Sequence, residues 1–469
     1  MPLHDHHPHD GTLSVDPLFL LESGGQDAPK FRLPAGPMPA EVAYRIVHDE
    51  LELDGNARQN LATFVTTWME PEADRLMAEC ADKNMIDKDE YPQTAELERR
   101  CVSILADLWH APGAADATGC STTGSSEAAM LGGLALKRRW RARQHDTTRR
   151  PNLVMGANVQ VCWDKFCNYF EVEPRLVPMS GDRYHLDAET ARAACDDATI
   201  GVVAILGSTF DGSYEPVSEI AEALDSLQAD TGLDVPVHVD GASGAMVAPF
   251  IDPELVWDFR LPRVASINTS GHKYGRVYPG VGWILWRDSA ALPEELVFRV
   301  NYLGGEMPTF ALNFSRPGAQ VAAQYYNFLR LGRAGYRVVQ QACRDTAMHL
   351  SAAIASMGPF TLLTDGSELP VFAFTTSAEA SFDVFALSAK LRERGWQVPA
   401  YSFPPDREDL AAARIVVRQG KRDFADLFLE DLRRAVGELE AGGATASAAP
   451  AVGAAPASPA VGVAPAFHH

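Results

Sequence analysis

Near-continuous apolar runs alternate with amphipathic stretches between residues 61 and 340. The clearest are Asn152-Leu-Val-Met155, Ile200-Gly-Val-Val-Ala-Ile-Leu206, Val235-Pro-Val-His-Val239 and Val281-Gly-Trp-Ile-Leu-Trp286. Apolar strands separated by helices predict a mostly parallel sheet covered on both faces by helices, because such strands bury both faces. Upstream, residues 31–60 carry turn and helical patterns and read as an N-terminal helical arm. Residues 341–440 hold two more strand patterns, Val371-Phe-Ala-Phe-Thr375 and Ala413-Arg414-Ile-Val-Val-Arg418. A closing helix follows, with Phe424, Leu427, Phe428, Leu432, Ala435 and Leu439 at helical spacing. This region predicts a smaller α+β domain. Residues 1–30 are His-rich. Residues 441–469 are almost wholly Ala, Gly, Pro, Ser and Val, which cannot bury a core and read as a flexible tether.

Composition narrows the class. A chain of 469 residues with 46 % hydrophobic and 22 % charged residues has the balance of a soluble globular enzyme of about two domains. A net charge of −21 repels nucleic acid and anionic membrane. Seven cysteines with no CxxC pair fit a reduced cytosol. The chain starts without a charged-then-apolar leader and has no apolar run long enough to span a bilayer. These features predict a cytoplasmic protein with no nucleic-acid partner, no transmembrane segment and no dedicated metal site.

Three short runs carry chemistry. In Ser270-Gly-His272-Lys273 a lysine follows a small-residue turn where a strand pattern stops. Burial lowers a lysine's pKa readily, so its amine can attack an aldehyde. A surface turn rich in Ser and Lys has the same composition. In Val237-His-Val-Asp240-Gly-Ala242 an apolar strand ends in an acid of the kind that pairs with a pyridinium nitrogen. It also reads as a strand-end cap. In Gly124-Ser125-Ser126-Glu127 two serines open a helix. Free N–H groups, hydroxyls and the positive helix end make a phosphate cradle, or plain N-capping.

In this order the runs resemble the pyridoxal-phosphate decarboxylases of fold type I, and more closely the bacterial glutamate decarboxylases. The likeness extends through Asp54-Gly-Asn-Ala-Arg-Gln-Asn-Leu-Ala-Thr63-Phe64, Ile86-Asp87-Lys-Asp-Glu-Tyr-Pro-Gln93, Leu108-Trp-His-Ala-Pro112, Tyr302-Leu-Gly-Gly305 and Asn313-Phe-Ser315-Arg-Pro317. It covers roughly residues 31–440. The resemblance implies a seven-stranded sheet in the large domain, pyridoxal 5′-phosphate as cofactor, and loss of CO₂ from L-glutamate to give 4-aminobutyrate, consuming a proton and serving acid resistance or 4-aminobutyrate metabolism. A decarboxylase of another amino acid is the alternative.

Roles follow from the resemblance residue by residue. Lys273 would hold the cofactor aldehyde, and Asp240 would keep its ring nitrogen protonated. Ser125, Ser126, Ser270 and His272 would bind the phosphate, with Ser315 reaching it from a neighbouring subunit. Gln160 would stack over the ring, with Thr209 and Ala242 around it. Arg414 would take the substrate α-carboxylate. Thr63, Phe64 and Asp87 would meet the distal carboxyl across a dimer interface. Lys273, His272 and Tyr302 compete as the acid that protonates the α-carbon. Shared sites imply a homodimer, and the family extends it to a hexamer.

Histidines supply a further expectation. Six of the 13 lie in the two tails, and histidine charge changes near pH 5–8. The ending Phe467-His468-His469 resembles a segment that plugs the site at neutral pH, with His469 as the plug. It also reads as a tag scar. The N-terminal histidines read as a second pH sensor, a weak metal site or solvated tail. The chain departs from the family at Asp164, where a histidine is expected. That change bears on the local proton balance. Gly241, Ala245 and the run Gly275-Arg-Val-Tyr-Pro279 also differ from the family pattern.

Overall fold

A computed structural model describes residues 29–144, 148–300, 307–418, 420 and 422–447. Residues 1–56 and 57–469 form two separate units. In the first, helix α1 (Ala40–Leu51) follows Pro39, and Lys30 pairs with Glu50 at 2.9 Å. The second unit carries the remaining elements.

Its helices are α2 (Pro71–Glu79), α3 (Pro92–Leu108), α4 (Ser125–Arg143), α5 (Val161–Tyr169), α6 (Ala188–Ala194), α7 (Val217–Thr231) and α8 (Ala248–Ile251). A long α9 (Ala319–Ala355) is broken at Gly332, and α10 (Val384–Arg392) and α11 (Arg422–Ser447) close the chain. The main strands are β1 (Thr118–Thr122), β2 (Asn152–Gly156), β3 (Glu173–Val177), β4 (Thr199–Ile205), β5 (Val237–Asp240), β6 (Val264–Thr269) and β7 (Gly282–Trp286). They form a seven-stranded sheet in the order β1-β7-β6-β5-β4-β2-β3. Only β7 runs against its neighbours. A short hairpin of β8 (Phe298–Val300) and β9 (Met307–Thr309) follows. A four-stranded antiparallel sheet of β10 (Phe360–Leu362), β11 (Val371–Thr376), β12 (Ala400–Ser402) and β13 (Ala411–Val416) has the order β10-β11-β13-β12.

The central strands are apolar on both faces because both are covered. Every residue of β2, β4, β5, β6 and β7 is buried. The predicted mixed α/β sandwich with a smaller α+β region is therefore the observed one. Strand β5 starts at Val237, two residues later than the apolar run, because Pro236 has no N–H to give a ladder. The boundary drawn at 340/341 falls inside α9. The last helix runs to Ser447, past the 440 boundary, since an alanine-rich stretch continues a helix once it has begun. Among the described residues, no helix is long and apolar enough to cross a membrane.

The sheet fixes where chemistry can sit. Because β7 alone is reversed, β1, β2, β4, β5 and β6 all end at one edge. Loops leaving those strands converge there, and the small sheet supplies Arg414 from the middle of β13.

Candidate active site

At that edge lies a cavity of about 460 Å³. Its walls come from Thr63 and Phe64, from Gly124–Glu127 after β1, and from Asn158, Gln160 and Cys162 after β2. Gly207 and Thr209 follow β4, Asp240 and Ala242 end β5, His272 and Lys273 follow β6, and Arg414 faces in from β13. The structure thus brings together most of the residues expected from sequence. Ser270, at the end of β6, is fully buried, and its Oγ has no hydrogen-bond partner among the described residues.

Lys273 is half-buried, and desolvation at the cavity lowers its pKa; the nearby Asp240 carboxylate partly opposes the shift. Its Nζ lies 3.4 Å from Ser243 Oγ and 5.0 Å from the Phe64 ring centroid. The Arg414 guanidinium stands 4.9 Å from the same ring. The Phe64 ring is therefore within cation–π range of both side chains. Thr66 fixes this loop, donating from its hydroxyl to Lys273 O at 2.7 Å and from its N–H to His272 O at 2.8 Å.

Asp240 is held at both oxygens. Trp163 Nε1 donates to Oδ2 at 2.8 Å, while Asn268 Nδ2 and the Ala242 N–H each donate to Oδ1 at 3.1 Å. His272 Nδ1 accepts from the Gly280 and Val281 N–H groups at 3.4 and 3.3 Å. That places the neutral ring's proton on Nε2. Burial, helped by the Lys273 charge, pushes its pKa down to about 4. A Cβ on Gly124 would lie 2.9 Å from His272 Cε1, so glycine is what lets the ring close over the start of α4.

The two serines open α4 as expected, with Gly124 as the capping residue. Glu127 clamps the turn, its Oε2 accepting from Thr123 N–H at 2.8 Å and Thr123 Oγ1 at 2.9 Å. It also accepts from Asn313, N–H to Oε1 at 3.2 Å and Nδ2 to Oε2 at 3.1 Å. The next residues, Ser315 and Arg316, are tied down as well. Arg316 donates to Ser121 O and, at 2.7 Å, to Ser121 Oγ.

Some expectations land elsewhere. Asp87 and Ser315 do not line their own chain's cavity; Asn84 Nδ2 donates to both, at 2.9 and 3.3 Å. Gln160 lines the cavity, but its Oε1 caps α5 by accepting from Cys162 N–H at 2.6 Å. Asp164 is exposed and lines a separate cleft with Lys137 and Arg150 rather than the cavity itself. Tyr302, His469 and the N-terminal histidines lie outside the described residues. Sequence reasoning missed Trp163, Asn268, Ser243 and Cys162. The Cys162 thiol is pushed well above its ordinary range by burial.

A half-buried lysine, an acid held at a strand end and a helix-start anion cradle define an α/β enzyme built around a phosphorylated aldehyde. Residues 34–377 match the pyridoxal-dependent decarboxylase conserved domain, and the chain belongs to that family. It is 54 % identical over 443 residues to a glutamate decarboxylase of Aliivibrio fischeri, covering 93 % of this chain and 95 % of the relative. Glutamate decarboxylase beta of Listeria innocua is 47 % identical, over 91 % and 93 % of the two chains. Among solved structures, the glutamate decarboxylase of Lactobacillus brevis superposes with a TM-score of 0.87 at 46 % identity. That match covers 90 % of this chain and 98 % of the other. The cofactor is pyridoxal 5′-phosphate. The unpartnered Ser270 hydroxyl and the free N–H groups at the start of α4 fit its phosphate, and the desolvated Lys273 amine fits its aldehyde.

Proposed function

We propose that this chain removes the α-carboxyl group of L-glutamate as CO₂ and leaves 4-aminobutyrate. The observation that carries this reading is the meeting of Lys273, Asp240 and Arg414 in one cavity. The glutamate decarboxylase names of the relatives, at 46 to 54 % identity, support the choice of substrate. When bound, the cofactor supplies an electron sink for the pair released with CO₂.

The chain's own groups do the rest. Lys273 would hold the aldehyde, its lowered pKa favouring the reactive free amine. Asp240, fixed by three donors, would pair with the ring nitrogen. Ser125, Ser126, Ser270 and His272 would take the phosphate, with Ser315 of a second copy completing the cradle. Thr209 and Ala242 would border the ring, and Gln160 would lie over it. Arg414 receives the α-carboxylate. Two of its five N–H donors go to Thr209 O and Ala62 O, and its Nε is buried without a partner. Those free donors suit a carboxylate and hold the bond to be broken in one orientation. Thr63, Phe64 and a second copy's Asp87 recognise the distal carboxyl. Two acids meet there, so one must carry a proton. The α-carbon is reprotonated by Lys273, Tyr302 or His272, whose Nε2 carries a proton in the neutral ring.

The same reading makes a homodimer the catalytic unit, within a hexamer. Support comes from Asp87 and Ser315, which sit beside Asn84 rather than in their own chain's cavity. The seven cysteines are all free, which supports a reducing cytoplasm. There, consuming a proton with each turnover serves acid resistance, with His469 as the neutral-pH plug. CO₂ release from L-glutamate and from L-aspartate, with and without added pyridoxal phosphate, tests the proposal across acid to neutral pH. Glutamate turnover that needs the cofactor supports it. Equal turnover of aspartate, or turnover without cofactor, refutes it.

A further inference from the structure

The parallel register of β5 and β6 creates a chain of polar groups in an otherwise apolar layer. His238 pairs with Ser266, and Asp240 with Asn268. Period-two alternation then puts all four side chains on one face. His238 Nδ1 lies 2.7 Å from Ser266 Oγ, and His238 Nε2 lies 2.7 Å from Asn268 Oδ1. Asn268 Nδ2 donates to Asp240 Oδ1 at 3.1 Å. His238, Asn268 and Ser266 are almost wholly buried.

The direction of every bond is determined. An ionised carboxylate only accepts, so the Asn268 amide must turn its NH₂ to Asp240 and its oxygen to His238. That oxygen needs a donor, which fixes the His238 proton on Nε2. Nδ1 is then an acceptor, and the Ser266 hydroxyl donates to it. Burial pushes the His238 pKa below the ordinary histidine range, which keeps this neutral form. From the other side, Trp163 donates to Asp240 Oδ2 and sets its ring edge-on to His238, 5.1 Å between centroids. Helix α4 leaves room for the imidazole: a Cβ on Gly132 would lie 2.5 Å from His238 Cε1.

We propose that Trp163, Asn268 and, through Asn268, His238 are positioning residues that keep Asp240 aimed and ionised, so that the shared proton stays on the cofactor's ring nitrogen. This rests on the reading of Asp240 as the partner of that nitrogen. Donors to a carboxylate stabilise its charged form and lower its basicity. Each bond removed makes Asp240 a stronger competitor for the ring proton and weakens the electron sink.

The test is ¹⁵N NMR of the holoenzyme loaded with pyridoxal phosphate labelled at the ring nitrogen, alongside steady-state kinetics. Trp163→Phe keeps the ring and removes one donor, and Asn268→Leu removes the amide at similar volume. His238→Phe removes only the remote donor, and His238→Gln restores an amide N–H. The expected result is a protonated nitrogen in the wild type, moved toward the unprotonated shift in the first three variants and back in His238→Gln. With it, kcat falls about tenfold or more for each lost bond to the charged acid, while KM for L-glutamate stays unchanged. Variants that lose activity with the nitrogen still fully protonated overturn the inference and leave the role of Asp240 standing. An unprotonated nitrogen in the wild type overturns both.

Discussion

Replacing Arg414 by methionine removes the group assigned to the substrate α-carboxylate while keeping an apolar chain of similar reach. Arg414 spends one N–H on Thr209 O and one on Ala62 O, leaving three, Nε among them. A carboxylate taken by two of these makes two charge-assisted bonds of about 1.5–3 kcal/mol each, or about 3–6 kcal/mol together. At about 1.4 kcal/mol per decade, kcat/KM for L-glutamate falls about 10²- to 10⁴-fold. Arg414→Lys keeps the charge but not the planar fork, so it falls between wild type and methionine. The assay is CO₂ release under kcat/KM conditions, with cofactor content measured on the same samples by visible absorbance. Cofactor content stays near wild type, since no part of Arg414 is assigned to the cofactor. A methionine variant within tenfold of wild type would refute the reasoning. So would an activity loss matched by an equal loss of bound cofactor, which would make the role structural.

His272 makes stability pH-dependent. Its folded pKa of about 4 lies below the ordinary 6.5, so between those values the unfolded chain binds a proton that the folded chain does not. Stability is therefore lost as pH falls through that window, by up to about 3 kcal/mol, and is unaffected above it. His272→Gln should show a smaller acid-induced drop in urea midpoint than wild type, with the gap absent at neutral pH. Ser270→Ala should leave the cofactor-free protein as stable as wild type, because the hydroxyl has no partner to lose. The same change should weaken pyridoxal phosphate binding about tenfold, read by titration, because a bond to a charged phosphate is lost. Co-expressing Lys273→Ala chains with Asp87→Ala chains should restore turnover that neither gives alone. Lack of restoration, with mixed dimers present, would contradict a site shared between copies.

The sheet was legible because β2, β4 and β7 are buried on both faces and so read as unbroken apolar runs. Edge strand β3 (Glu173–Val177), largely exposed, gave no such run. The motifs at strand ends were legible because each packs its chemistry into a few consecutive residues. What stayed hidden depends on pairing between distant segments. The approach of Lys273 and Arg414 to the Phe64 ring joins three stretches of chain. The clamp on Asp240 exists only once β5 and β6 are in register and α5 delivers Trp163. That the Gln160 amide oxygen also caps α5 was not legible, because nothing local marks it as a cap. Asp164 looked like an active-site change because it is four residues from Gln160. Its side chain is exposed on α5 and lines a separate cleft.

The covalent link to the cofactor is where the account is most exposed. Borohydride reduction of the holoenzyme, then digestion and peptide mass spectrometry, should find one phosphopyridoxyl adduct, on Lys273. An unmodified Lys273, or an adduct on another lysine, would contradict the assignment of this cavity as the active site.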